Sequence, residues 1–168
     1  MKGLLRIIDQ VSEKVGLTIR WVVIGMLLAT SFEVVARYFF NSPTVWAHQS
    51  VMIMGGILIP LSWGFIHLHH GHVSMDILYK RLSPRKQVII HAVCTVLFLF
   101  PLVGLLTYVC AQWLIESWVK QETWIVSIWY PPMWPSRAFM VAGFTLFFLQ
   151  GAAGFVRDIY FLAVGEQL

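Results

Sequence analysis

VIIHAVCTVLFLFPLVGLLTYVCAQW, residues 88–113, is a run of 26 residues that contains no Asp, Glu, Lys or Arg. A helix needs about 20 consecutive apolar residues to cross the hydrocarbon core of a bilayer. Segments of similar character occur elsewhere in the chain, and the four predicted spans cover about 17–40, 46–68, 88–113 and 133–159. Only helices and closed barrels satisfy the backbone within a bilayer, and these runs are too long for barrel strands. The sequence therefore predicts an all-α integral membrane protein with four transmembrane helices.

The overall composition supports a single membrane domain covering residues 1–168. Of the 168 residues, 58% are hydrophobic and only 12% are charged, whereas a soluble domain carries about 25% charged residues. The formal net charge is +4, but the basic residues lie in short clusters beside the apolar spans. That distribution is typical of a topology signal and gives no reason to expect a nucleic-acid partner.

The distribution of Lys and Arg predicts the orientation in the membrane. With the N-terminus in the cytoplasm, nine of the twelve basic residues fall on the cytoplasmic side and three on the outer side. Cytoplasmic loops carry the excess of positive charge. We therefore expect a multi-pass membrane protein with both termini cytoplasmic. The three outer basic residues are Arg37, Lys120 and Arg137.

Two amphipathic segments are predicted to lie along the membrane surface. The first covers residues 2–15, with apolar residues at Leu4, Ile8, Val11 and Val15. The second is a horizontal arm helix between spans two and three, over about residues 73–82, with an apolar face of Met75, Leu78, Tyr79 and Leu82. Apolar residues at this helical spacing, opposed by polar ones, are typical of interfacial helices.

Tryptophan marks the outer interface. Six of the eight tryptophans fall on the predicted outer side, where an amphipathic ring is favoured by contact with membrane lipid. These predicted anchors are Trp46, Trp113, Trp118, Trp124, Trp129 and Trp134. The stretch 114–130 is too polar to cross the membrane, and we expect it to lie along the outer surface.

A histidine cluster, FIHLHHGHVSMD at residues 65–76, ends span two. Its spacing lacks a nearby Cys or Glu and does not predict a metal site, so we interpret the cluster as interfacial side chains. One alternative remains open. A haem between helices needs two facing histidines at the same depth, and His67 and His91 meet that condition in outline. This alternative predicts a haem-binding or quinone-enzyme membrane anchor.

Glu33 and Arg37 are charged residues inside span one, four positions apart, in the order that favours an ion pair. Charges within spans usually face protein or a cavity, so we interpret this pair as a structural or subunit contact. A proton-coupled efflux site at Glu33 is a further alternative, although the neighbouring cation disfavours proton cycling. No nucleophile with a base, no phosphate loop and no paired half-helices are found. The sequence predicts a helper subunit that is not an enzyme and binds no cofactor or metal.

Three stretches of the sequence are similar to parts of one family. They are EVVARYFFNSPTVW at residues 33–46, GHVSMDILYKRLSPRKQ at residues 71–87 and PPMWPSRAFMVAGFTLFFLQ at residues 131–150. In that order they resemble the end of the first span with its following turn, the second loop and the start of the fourth span in the small, DctQ-type membrane subunit of tripartite ATP-independent periplasmic (TRAP) transporters. One departure is that His48 and Gln49 stand where the family commonly has acidic residues.

The resemblance implies a subunit that braces a large membrane subunit, which carries the substrate and sodium sites. It also implies a periplasmic substrate-binding protein as the third component, commonly delivering an organic acid. On this interpretation Glu33 and Arg37 hold span one against its neighbours, while His72, Asp76 and the arm helix fix the depth of the protein in the cytoplasmic leaflet. No substrate-binding residue is expected in this chain, and its sequence does not identify the substrate.

Overall fold

A computed structural model of the chain describes residues 2–69, 83–125 and 130–164. The described residues form five α-helices, α1 Lys2–Phe39, α2 Val45–Leu68, α3 Pro84–Cys94, α4 Phe100–Lys120 and α5 Trp134–Val164. A π-helical turn, Thr95–Leu99, joins α3 to α4, so these three elements form one long rod. Four helical segments are long and apolar enough to cross a membrane. The prediction of an all-α membrane protein with four spans is confirmed.

The helices pack around a central pair formed by α2 and α5. Helix α1 packs along α2 and also contacts α5, while α3 and α4 pack against α5. The outer surfaces of α1 and α4 expose large apolar side chains, such as Leu27 at 64% and Leu105 at 62%. This arrangement places a small core along α2 and α5 and leaves a broad apolar surface for lipid or protein.

Glycines set how closely the central helices approach one another. A Cβ built on Gly143 of α5 would lie 2.6 Å from the carbonyl carbon of Pro60 in α2. A Cβ on Gly151 would lie 2.6 Å from Leu99 in the π-helical turn. Small residues allow backbones to approach within a membrane, where dispersion contacts must replace the hydrophobic effect. Gly143 therefore fixes the α2–α5 contact at backbone distance.

The turn between α1 and α2 follows from its local sequence. Asn41 has a φ of +48°, a left-handed conformation that asparagine tolerates better than most residues. The N–H of Ser42 donates to the carbonyl of Ala36 at 3.0 Å, which satisfies one of the free carbonyls at the end of α1. Thr44 is extended at the N-cap of α2, so the chain reverses within a few residues.

The third span continues farther than expected. The rod from α3 to α4 ends at Lys120, so residues 114–120 continue the helix, although we expected them to lie along the outer surface. Lys120 pairs with Glu116 one turn earlier, a spacing that supports an exposed helix. The helix ends at Gln121, which has a φ of +52°. The π-helical turn ends at Leu99, two residues before Pro101, whose missing N–H disturbs regular helical bonding.

The N-terminal segment also differs from its prediction. Instead of a separate interfacial helix over residues 2–15, the structure has one continuous helix of 38 residues. Ser12 is 1% exposed and Leu5 is 7% exposed, whereas Leu4 is 68% exposed, so the buried side of the segment includes polar residues and part of its apolar surface faces outward. The physical reason is that polar residues here bond to α5 and α2, as described below. The arm helix expected over 73–82 lies outside the described residues.

Candidate functional site: polar clusters between the helices

Glu33 joins the end of α1 to the start of α2. It is only 8% exposed. Its Oε1 accepts hydrogen bonds from Arg37 Nε at 3.1 Å and from Arg37 Nη2 at 2.6 Å. Its Oε2 accepts a bond from the backbone N–H of Thr44 at 2.9 Å and another from the Thr44 hydroxyl. One carboxylate therefore neutralises Arg37 and also satisfies an N–H at the N-cap of α2, where a negative charge complements the helix dipole.

A second cluster joins the N-terminal part of α1 to α5. Asp9 accepts hydrogen bonds from Arg157 Nη2 at 2.5 Å and from Gln150 Nε2 at 2.9 Å. The hydroxyl of Ser12 donates to Gln150 Oε1 at 3.0 Å. Gln150 and Ser12 are each 1% exposed. The amide of Gln150 therefore uses its donor on Asp9 and its acceptor on Ser12, so one turn of α1 is bonded to two turns of α5, at Gln150 and Arg157.

Histidines complete the polar layer at this end of the molecule. His69 Nε2 lies 2.8 Å from Glu13 Oε2, which links the end of α2 to α1. His91 Nδ1 lies 2.5 Å from Asp158 Oδ2, which links α3 to α5. The ring of His67 stacks against that of His91 with a centroid separation of 6.2 Å. Each of these contacts joins two different helices, so the histidines also contribute to helix packing.

At the opposite end, Arg137 holds the α4–α5 connection. Its Nη1 lies 2.8 Å from Glu122 Oε2 and donates to the carbonyl of Trp113 at 2.7 Å. The backbone of Thr123 forms an isolated antiparallel bridge with Pro132. The guanidinium of Arg137 therefore binds both α4 and the segment that follows it.

Comparison with known families identifies the chain. The sequence model of the tripartite ATP-independent periplasmic transporters, DctQ component, matches residues 26–160 of the 168. The chain belongs to the DctQ family. Among curated proteins, none matches it. The matched range begins within α1 and ends within α5, so it includes the second and third apolar helices whole and part of the first and fourth. The resemblance noted from three short stretches is confirmed over most of the sequence.

Family membership gives the coarse function. DctQ proteins are the small component of TRAP transporters, so this chain is a subunit of a membrane transporter. The family is a transporter component family, not an enzyme family. Four apolar helices together with this family identify a multi-pass membrane protein.

Of the four polar residues predicted to be structural in this DctQ family member, the structure describes two. Glu33 and Arg37 form the ion pair already described. His72 and Asp76 lie outside the described residues. Among the residues that are described, no group of three or more His, Cys, Asp and Glu side chains is placed to hold a metal ion.

The tryptophans are placed in different surroundings. Trp46 is 46% exposed and packs against Phe32 with a centroid separation of 5.5 Å. Trp118 packs edge-on against Trp134 at 4.9 Å, and Trp113 is 51% exposed. Trp124 differs, because its Nε1 atom is buried and has no hydrogen-bond partner among the described residues. Trp129 lies outside those residues.

Sequence reasoning missed the Asp9 cluster and the His91–Asp158 contact. Arg157 was counted only as a topology signal, and Gln150 was not considered. A signal was present, because Gln150 and Arg157 are seven residues apart and so lie on one face of a helix. Polar residues aligned on one face of an apolar span indicate a protein contact. Their partners on α1 follow only from the packing of the helices.

Proposed function

We propose that this DctQ protein is a structural scaffold for the large transport subunit of a TRAP transporter. In that role it has no substrate site of its own. The large subunit carries out sodium-coupled uptake of an organic acid, which a periplasmic binding protein delivers. The chain lies in the bacterial inner membrane with both termini in the cytoplasm.

The observation that carries this proposal is that polar side chains of neighbouring helices are hydrogen-bonded to one another. Among the described residues, five carboxylates each bond to a neighbouring element: Asp9, Glu13, Glu33, Glu122 and Asp158. Interhelical hydrogen bonds of this kind stabilise a membrane bundle. A substrate or proton site needs polar groups that are open to a ligand, whereas these are bonded to one another. A rigid bundle with a broad apolar exterior suits a brace better than a carrier.

The proposed function is tested by co-purification and transport. A tagged chain is expressed with its large subunit, purified in a mild detergent and analysed by mass spectrometry. We expect one much larger, many-spanning protein at a fixed ratio. Proteoliposomes that contain both subunits should take up substrate only when sodium and the binding protein are present. Transport by this chain alone would contradict the scaffold role and support the efflux alternative.

The same preparation tests the haem alternative, which one observation favours. The rings of His67 and His91 lie close together at 6.2 Å between centroids, and Asp158 bonds to Nδ1 of His91, as second-shell carboxylates do for ligating histidines. A haem bound by these residues gives a Soret band that is lost in a His91→Ala variant. We expect a colourless complex, because the His91–Asp158 pair already serves to join α3 to α5.

A further inference from the structure

Arg20 is a charged residue on the exterior of α1. Its guanidinium carbon lies 5.7 Å from the centre of the Trp21 ring, and Trp21 is 62% exposed. Within the part of the chain that the structure describes, Arg20 forms no hydrogen bond or ion pair. A cation on an apolar helix surface is costly in a membrane unless an anion or water is close.

Packing along α2 defines the depth of Arg20. At one level, the Ser12 hydroxyl lies 3.5 Å from a Cβ built on Gly64. Farther along, Met54 lies 3.8 Å from a Cβ built on Gly25. Arg20 falls between these levels, close to that of Pro60 in α2. Pro60 is two helical turns before the end of α2 at Leu68, a distance of about 12 Å along the helix. Arg20 therefore lies within the span.

The other arginines within the predicted spans all have carboxylate partners, whereas Arg6 and Arg85 lie outside those spans. Distances between the paired nitrogen and oxygen atoms are 2.5 to 2.8 Å. The pairs are Arg37 with Glu33, Arg137 with Glu122 and Arg157 with Asp9. This protein thus neutralises its membrane-level arginines with its own acidic side chains. Arg20 departs from that pattern among the described residues, which indicates that its partner is supplied from elsewhere.

The surroundings of Arg20 are apolar and outward-facing. Leu17, Ile24 and Leu27 lie one or two turns away on α1 and are 40%, 48% and 64% exposed. We propose that Arg20 forms an ion pair with an Asp or Glu in a transmembrane helix of the large subunit, and that this surface of α1 is the interface. The proposal rests on the proposed function. A carboxylate on a neighbouring helix reaches this depth, whereas lipid phosphates lie outside the hydrocarbon core.

The test measures how much large subunit co-purifies with tagged variants of this chain. Arg20→Gln should lower the recovered large subunit at least fivefold, and Arg20→Lys should retain most of it. Lys14→Gln is the matched control, because Lys14 is also an exposed cation on α1 but lies nearer to its N-terminal end. We expect recovery with Lys14→Gln to equal that of the unmodified chain.

A charge exchange identifies the partner residue. Arg20→Glu should abolish co-purification, and replacing one Asp or Glu in the membrane helices of the large subunit with Arg should restore it. Failure of every such replacement would overturn the ion pair. If Asp76→Arg within this chain restores co-purification of the Arg20→Glu variant, the anion is Asp76, and the proposal is overturned. If the Arg20→Glu variant loses bound phospholipid while the complex stays intact, the anion is a lipid phosphate, which also overturns the proposal.

A second measurement does not depend on how well the Arg20 variants fold. A photoreactive amino acid at Ile24, one turn from Arg20, should cross-link to the large subunit in intact membranes. Cross-links to lipid alone would overturn the proposed interface. If the unmodified chain does not co-purify with the large subunit, the proposed function fails. If the unmodified chain does co-purify with the large subunit, but the Arg20→Gln variant recovers as much large subunit as the Lys14→Gln variant, only the role of Arg20 fails.

Discussion

Asp9 and Arg157 are 148 residues apart in the chain, and their side chains meet at 2.5 Å where α1 lies against α5. The two side chains are 28% and 31% exposed, so the pair is partly shielded. Gln150 and Ser12 extend this contact by one turn. The first and last helices of the protein are thus bonded together, although α1 packs mainly on α2 and α5 is the centre of the bundle.

The Asp9–Arg157 pair should contribute measurably to stability. Interhelical hydrogen bonds in membrane proteins contribute about 0.6 to 2 kcal/mol, so we expect Asp9→Asn to lower the free energy of unfolding by about 1 kcal/mol. Unfolding in mixed detergent micelles measures it. A double-mutant cycle with Arg157→Gln should give a non-zero coupling energy. Strictly additive effects would contradict a direct interaction between the two side chains.

Thr44 should matter more than other hydroxyls in the spans. Thr44→Val removes the hydroxyl bond to Glu33 and leaves that buried carboxylate with fewer donors, so we expect a lower unfolding temperature. Thr30→Val is the control, because the Thr30 hydroxyl is exposed and bonds only to the carbonyl of Met26 in its own helix. Equal effects of the two changes on thermal unfolding would rule out a special role for the α1–α2 turn.

Gly143 should not accept a side chain. A Cβ there would lie 2.6 and 2.7 Å from the carbonyl carbon and Cβ of Pro60, and backbone atoms cannot move aside cheaply. We expect Gly143→Ala to cost about 1–3 kcal/mol, as overpacking does. Gly56→Ala is the matched control, since no atom lies within 4 Å of its Cβ position, and it should be neutral or stabilising. A neutral Gly143→Ala variant would show that α2 and α5 separate easily.

Arg137 should hold the α4–α5 connection in place. Arg137→Gln removes its contacts with Glu122 and with the Trp113 carbonyl, so hydrogen exchange in residues 121–125 should become faster. Lys120→Gln removes an exposed ion pair within a single helix, and such pairs contribute little. It should leave exchange in that segment unchanged. Similar exchange in both variants would contradict the cross-connection role of Arg137.

Much of the fold follows from local sequence. The uncharged run at 88–113 predicts a span without reference to any partner, because a bilayer requires internally satisfied backbone bonds. The Glu33–Arg37 pair was predicted for a similar reason, since their spacing places both on one side of a helix. The turn after Phe39 also has a local cause, because Asn41 accepts the left-handed conformation.

Other features depended on contacts between distant segments. Residues 2–15 have an amphipathic pattern that fits a membrane surface as well as a protein surface. Only the positions of Gln150 and Arg157 decide that Asp9 and Ser12 face the protein. Likewise, the sequence could not indicate that the carboxylate of Glu33 bonds to Thr44 across a turn, because both the turn and the capping geometry must first form.

The sequence by itself determined the number of spans, their approximate limits and the family, because these depend on local hydropathy and on motifs in order along the chain. The tertiary structure decided which polar residues meet. It joined Asp9 to Arg157 and His91 to Asp158, and it left Arg20 without an ion-pair partner among the described residues. The physical reason is that a lone charge in a span predicts only the need for a partner, whereas helix packing selects which one comes within hydrogen-bond distance.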